Sequence, residues 1–331
     1  MCYNKKGDYM KVLLFSHESD IDGMGAVILS KLAFKDIDYV LAPNPKPMEL
    51  IFRKYLEDNK LYDYDKIFVT DLSLENPSLD MVYKDDILNK KVQVFDHHEK
   101  AIKLGLNKYD FTFIEEVDDN GKKRCATEIF YKYLIDNNYL NSTNALDTFV
   151  EFTRLEDTWE WKKKGIPKAH DLSILFNEVG IDKYIELVLE NLKEKEFKFT
   201  NLEIDLINKK KKEYEEILNK YIKEVEYLKD EDNNTFAILY ADYEYRNEIT
   251  EYIETHNTNN AKYVMIIALD KADYGQISYR SISDVDVNKI AMKHNGGGHP
   301  KAAASSITKE QRERLNNLSK KDGKNLLLKN I

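Results

Sequence analysis

Short apolar runs that each stop at an acid or an imidazole set the frame of this chain. Residues 11–16 (KVLLFS) run into His17, Asp20 and Asp22. Residues 66–70 (KIFVT) run into Asp71, and residues 91–95 (KVQVF) run into Asp96, His97 and His98. Their length and their β-branched and aromatic content predict buried strands. Weaker runs predict two more strands at 36–42 and 111–116. Helical spacing falls between them, at 25–34 (GAVILSKLAF), 48–59, a stretch from Pro77, 126–135 (ATEIFYKYLI) and 145–157. Strands alternating with helices predict an α/β domain with a doubly wound, mostly parallel sheet. In such sheets ligands bind outside the C-terminal strand ends, so these acids and imidazoles converge on one rim.

The pattern changes near Asp182. Residues 184–229 are rich in helix formers and charge and contain neither Gly nor Pro. Within them, 208–227 carries mixed-sign charge over a thin apolar stripe, which predicts a long solvated helix. Alternation then resumes, with strands at 236–240, 263–269 and 275–282 and helices at 247–256 and 285–293. The expected division is a tail (1–10), a catalytic domain (11–183), a helical linker (184–232) and a smaller α/β domain (233–331). Near the end of the last lie Gly296, Gly297, Gly298 and His299, followed by a run of alanines. Consecutive glycines leave backbone N–H groups unhindered, which suits a phosphate nest.

Composition narrows the classes. Hydrophobic content of 42% with 33% charged residues is that of a globular domain. No run has the length of a membrane span, and the first ten residues lack a signal-peptide core, so a cytoplasmic location is expected. With two cysteines, Cys2 and Cys125, there is no disulfide framework and no thiolate zinc site. A net charge of −9 argues against coating long duplexes, but not against a small anionic substrate. Bound divalent cations reverse the local field of an acidic pocket.

The candidate donors on the rim are His17, Asp20, Asp22, Asp71, Asp96, His97, His98 and Asp157. Singly, each has a structural use as a cap, a turn or a core residue. Together they form a carboxylate–imidazole set without sulfur, suited to Mn²⁺, Fe²⁺, Co²⁺ or Mg²⁺. The set is too large for one ion. With one shared carboxylate it fits two ions about 3.5–4 Å apart, the arrangement used on phosphoesters.

In that order and spacing, Asp20-Ile21-Asp22-Gly23, Asp71, Asp96-His97-His98 and Asp157 resemble the four motifs of the DHH phosphoesterase superfamily. Ile277-Ser278-Tyr279-Arg280-Ser281 and Gly296-Gly297-Gly298-His299 resemble motifs of its DHH-associated C-terminal domain. The Glu156-Asp157-Thr158-Trp159 form of the fourth motif resembles the nanoRNase B-like oligoribonucleases. The resemblance implies two divalent metal ions, Mn²⁺ in most relatives. Asp20, Asp71 and His17 would hold one. Asp22, Asp71, His97 and Asp157 would hold the other, with Asp71 bridging. It further implies that His98 faces the scissile phosphate, that Asp96 orients a histidine, and that Arg280, Ser281, Gly296, Gly297, Gly298 and His299 bind the rest of the substrate. His17 stands three residues before Asp20, where many relatives have four. Ala304 stands where relatives often carry glycine.

The function this implies is a two-lobed, metal-dependent phosphodiesterase acting on dinucleotides and short RNA or DNA oligomers, as a monomer or homodimer, with the substrate in the cleft between lobes. A cyclic dinucleotide or 3′-phosphoadenosine-5′-phosphate hydrolase shares the same motifs. A catalytically silent nucleotide-binding regulator is the reading from another class. Trp159, Trp161, Tyr245 and Tyr279 are the aromatic side chains available to stack on a base.

Overall fold

A computed structural model of the chain describes residues 9–269 and 275–328. Apart from residues 9 and 10, the expected tail lies outside the described residues, as does Cys2. The chain forms two compact units, 1–210 and 211–331. Among the described residues no helix is long and apolar enough to cross a membrane.

The first unit is built on a five-stranded, all-parallel sheet. Its strands are β1 (Lys11–His17), β2 (Asp36–Ala42), β3 (Lys66–Thr70), β4 (Val92–Asp96) and β5 (Thr112–Ile114), in the order β2-β1-β3-β4-β5. Side chains alternate across the pleat, so each central strand is apolar on both faces. One face sets Val12, Leu14, Phe68 and Phe95 against the helices Ile21–Ala33, Ala126–Asp136 and Asn144–Asp157. The other sets Leu13, Phe15, Ile67, Val69 and Val94 against Met48, Phe52, Leu79 and Val82. The sheet is therefore doubly wound. Its strand order reverses between β1 and β3, the switch point at which the C-terminal ends splay and leave a crevice.

Local chemistry sets the helix starts. Asp20 accepts hydrogen bonds from the backbone N–H groups of Asp22 and Gly23 and begins the first helix earlier than the apolar run indicated. The Pro43-Asn44-Pro45 segment ends β2 as expected, but Pro45 opens the next helix, Pro45–Glu57, with Asn44 as its cap. A proline in the first turn loses no intrahelical bond. Cys125 is fully buried and caps Ala126–Asp136, its Sγ accepting from Glu128 N–H at 3.4 Å. Gly25 lies where this helix meets the first one: a Cβ there would come within 2.4 Å of Thr127 Oγ1.

The expected linker at 184–232 divides differently. Ile181–Asn191 packs Tyr184, Ile185 and Val188 into the first unit's core. The helix Asn201–Ile222 contributes Ile207 to the first unit and Tyr214, Ile217 and Leu218 to the second. Residues 226–229 form a strand. Apolar positions that looked like a thin stripe are core contacts at both ends of one helix.

The second unit is a six-stranded mixed sheet. Its strands are β6 (Glu226–Lys229), β7 (Thr235–Tyr240), β8 (Tyr263–Ala268), β9 (Gly275–Ser281), β10 (Gly297–Gly298) and β11 (Ala302–Ile307), in the order β10-β11-β9-β8-β7-β6. Among the described residues only β7 and β8 pair in parallel. The expected glycine loop includes a strand pairing: Gly297 and Gly298 face Ala304 and Ala303 of β11. A Cβ at Gly298 would sit 2.6 Å from Ala302 O, and its φ of +152° also favours glycine.

Phe68 is fully buried and lies against Phe34, Phe95, Phe130 and Tyr133. Phe68→Ala is expected to destabilise the first unit by about 3–5 kcal/mol, read by urea unfolding with an unchanged slope. A loss below about 1 kcal/mol would mean that this layer does not hold the sheet to its helices.

Candidate metal centre

Three adjacent strands end at one point. β1 ends at His17, β3 is followed by Asp71, and β4 ends at Asp96 with His97 and His98 after it. Asp71 leaves β3 with a left-handed φ of 60°, held there by its N–H donating to Phe95 O at 2.9 Å. This conformation is uncommon for a residue with a side chain, and the neighbouring strand enforces it.

Two sets of donors face each other across Asp71. In the first, His17 Nδ1 lies 2.8 Å from Asp20 Oδ2 and 3.3 Å from Asp71 Oδ2. In the second, His97 Nε2 lies 3.4 Å from Asp71 Oδ1, 3.7 Å from Asp22 Oδ2 and 3.6 Å from Asp157 Oδ2. One Asp71 oxygen thus serves each set, as a bridging carboxylate would. Within each of the groups His17–Asp20–Asp71 and Asp22–His97–Asp157, the donor atoms lie within 4.8 Å of one another.

Asp71 Oδ2, His97 Nε2 and Asp157 Oδ2 are buried without a hydrogen-bond partner. Buried polar atoms are rarely left so. Asp71 Oδ2 belongs to the first set and His97 Nε2 and Asp157 Oδ2 to the second; all are nitrogen or oxygen, and their separations from the other donors suit cations better than hydrogen bonds. The residues therefore fit two divalent ions.

The electrostatics agree. Burial, and then the charge of Asp22, push Asp71 up to about 7 against the pull of His17 and His97. Burial and Asp22 likewise raise Asp157 well above the carboxylate range. Burial would lower His97, but contact with Asp71 and the charges of Asp157 and Asp22 outweigh it and lift it to about 10. His17 is raised to about 11 in the same way, by Asp20 and Asp71 against burial. In the metal-free protein, protons on imidazole occupy the place of positive charge that the carboxylates require.

Asp22 also holds two elements together. Its Oδ2 and Oδ1 accept from the N–H groups of Ala126 and Thr127, each at 2.8 Å, at the N-terminus of Ala126–Asp136. That helix end stabilises the carboxylate while leaving lone pairs for a cation. Asp96 also lies within 4.8 Å of donors on Asp71, His97 and His98, but its oxygens are engaged in hydrogen bonds. Its Oδ1 accepts from His97 N at 2.7 Å, His98 N at 3.1 Å and His98 Nδ1 at 2.7 Å, and Ser73 donates to Oδ2. Asp96 thus orients His98, whose pKa it raises by that hydrogen bond.

Asp157 closes Asn144–Asp157 and is framed from behind. The fully buried Arg154 makes a two-pronged contact with Glu151 and reaches Glu160 at 2.6 Å. The Glu156 carboxylate meets His170 Nδ1 at 2.9 Å, and His170 stacks on Trp161 at 4.7 Å. These supports carry no motif that sequence spacing reveals.

In the second unit, register places Arg280 opposite Val264 and Ala302. Ser281 lies opposite Tyr263, on the other face of the sheet, and its Oγ donates to Ser283 O at 2.8 Å. The structure therefore does not bring Ser281 beside Arg280; alternation along a strand separates them. His299 is exposed and closes the β10–β11 hairpin through its backbone. Burial lowers the pKa of Arg280, and so does the charge of Arg246, a residue that no motif singles out. The Arg246 guanidinium covers the Tyr243 ring at 3.9 Å, and its Nε is buried without a partner.

Comparison with known proteins supplies the context. The DHHA1 domain family matches residues 228–322. Oligoribonuclease NrnB of Bacillus subtilis (strain 168) is 32% identical over 305 residues, spanning 90% of this chain and 73% of that protein. The DHH domain of a protein assigned to a family of ribosomal proteins superposes with a TM-score of 0.57 at 14% identity, over 92% of this chain and 84% of that one. A pGpG-specific phosphodiesterase from Vibrio cholerae superposes with a TM-score of 0.52 at 13% identity, over 92% and 96%. At those identities the two structures establish the shared fold.

Imidazoles must lose their protons to bind a cation. With His97 raised to about 10, the metal-free site is protonated at neutral pH, so apparent affinity for Mn²⁺ should rise as pH rises from about 6 to 9. Calorimetry in buffers of different ionisation enthalpy should detect protons released on binding at pH 7. Binding with no proton release would contradict this charge balance.

Proposed function

The chain belongs to the DHH phosphoesterase superfamily, and from that premise we propose that it is a two-metal phosphodiesterase that hydrolyses short oligonucleotides to mononucleotides. The observation that carries the reading is the buried cluster in which Asp71 presents one oxygen to His17 and Asp20 and the other to His97, Asp22 and Asp157. Its likeness over most of its length to an oligoribonuclease supports short RNA as the substrate.

His17, Asp20 and Asp71 would hold one divalent ion, and Asp22, Asp71, His97 and Asp157 the other. We assign Mn²⁺ to both, since the donors are carboxylate and imidazole without sulfur. When bound, the ions lower the pKa of a water and neutralise charge on the phosphoryl group. His98, hydrogen-bonded to Asp96, would donate a hydrogen bond to a phosphoryl oxygen or a proton to the leaving ribose oxygen. Water adds to phosphorus, the P–O ester bond breaks, and the ribose leaves as an alcohol. Arg280 and His299, with the backbone of Gly296, Gly297 and Gly298, would grip the substrate's other phosphate or end. Arg246 adds a second guanidinium beside Arg280. Guanidinium suits this role because it binds phosphate through two parallel hydrogen bonds. The enzyme would act in the cytoplasm, as a monomer or homodimer, with the first unit as its catalytic domain and the second as its substrate-binding domain.

The test is Mn²⁺-dependent hydrolysis of an RNA dinucleotide, with cyclic-di-AMP and 3′-phosphoadenosine-5′-phosphate run in parallel. The dinucleotide should be cleaved fastest, and His97→Ala should lower kcat/KM by at least about 100-fold, since loss of mere supporting groups at metal sites already costs 10–100-fold. Preference for either other substrate would move the function to that substrate. Metal binding without hydrolysis of any would leave a silent nucleotide binder.

A further inference from the structure

Four aromatic residues were available to meet a base, and the structure removes three. Tyr279 and Tyr245 are core residues. Trp161 is occupied by its stack on His170. Trp159 remains half exposed, two residues beyond Asp157.

Its backbone makes the position unusual. Trp159 has φ 59° and ψ 16°, the left-handed region that a bulky side chain seldom adopts. The turn is pinned on both sides. Thr158 donates its N–H and its Oγ1 to Arg154 O, at 3.0 and 2.8 Å, and Glu160 is tied to the Arg154 guanidinium. Trp159 N–H donates to Glu156 O at 3.0 Å. Glycine or asparagine would satisfy this turn without strain, so the turn alone does not require an indole. Nor does the core, since the ring is exposed. The Lys162 ammonium lies 5.5 Å over the ring and places positive charge beside it.

We propose that Trp159 is a specificity-determining residue: its indole stacks on the nucleobase of the nucleotide whose phosphate is held at the Asp157 side of the metal centre. The inference rests on the phosphodiesterase reading above. A stacking platform favours the larger π-surface, so purines at that position bind better than pyrimidines.

The experiment compares hydrolysis of an adenine and a uracil dinucleotide by the wild type, Trp159→Ala, Trp159→Phe and Trp159→Gly. Trp159→Ala should raise KM for the adenine substrate by about 5- to 150-fold with little change in kcat, because alanine removes stacking but not the metal ligands. Trp159→Phe should recover much of that loss, and the adenine preference should vanish in Trp159→Ala. Trp159→Gly should raise Tm by about 2–4 °C while raising KM, since glycine relieves the backbone and removes the ring. In Trp161→Phe, which leaves one tryptophan of the chain's two, AMP should quench the remaining fluorescence without any metal present. Unchanged KM values and an unchanged base preference in Trp159→Ala, with wild-type hydrolysis intact, would overturn the inference alone. Failure of the wild type to hydrolyse either dinucleotide would remove the phosphodiesterase reading and the inference with it.

Discussion

Carboxylates crowded into a buried space repel one another, and the first unit is arranged to contain that repulsion. Asp22 and Asp71 are fully or nearly fully buried, and Asp157 adjoins them. Each demands a compensating group. A helix N-terminus answers Asp22, imidazoles answer Asp71, and a histidine shared among all three completes the set. Such a cluster is stable only with positive charge inside it, whether protons or metal. Removing one partner leaves an uncompensated buried charge, so the cluster behaves as a unit.

The parallel sheet makes this arrangement possible. Strands that run the same way bring their ends to one edge, and the switch point between β1 and β3 opens space there. The helices Ile21–Ala33 and Ala126–Asp136 then contribute from outside the sheet, one carrying Asp22 and the other receiving it. Their separation is fixed by Gly25, which leaves no room for a Cβ against Thr127. Packing and chemistry meet at that contact: a wider gap between the helices would pull the Ala126 and Thr127 N–H groups away from the Asp22 carboxylate.

The central strands β1, β3 and β4 could be read from the chain because each is apolar on both faces and ends at, or is followed at once by, polar residues that apolar burial cannot explain; β2 and β5 showed only as weaker runs. His17, Asp20, Asp22, Asp71 and His97 stood out as candidates because they lie at or just after those strand ends, whereas Asp157, at the end of a helix, was a candidate only through the order and spacing of the motifs. What could not be read depends on tertiary contact. Pro45 as a helix start needs the Asn44 cap, and Ile181–Asn191 as core needs the face it covers. Asp96 looks like another donor until its oxygens are seen filled by His97, His98 and Ser73. Ser281 adjoins Arg280 in sequence, yet strand alternation turns it away. Arg246 is remote from every motif, and only folding brings its charge near enough to lower the pKa of Arg280.

Cys125 carries a consequence of its own. It is sealed beside Asp22 and Asp157, and burial, then those two charges, raise its pKa well above that of a free thiol. A buried thiol held protonated reacts slowly. Alkylation of Cys125 therefore speeds up when the first unit opens, and its labelling rate is an internal clock on that opening, set beside the Asp22 and Asp157 carboxylates and slow while the fold is closed.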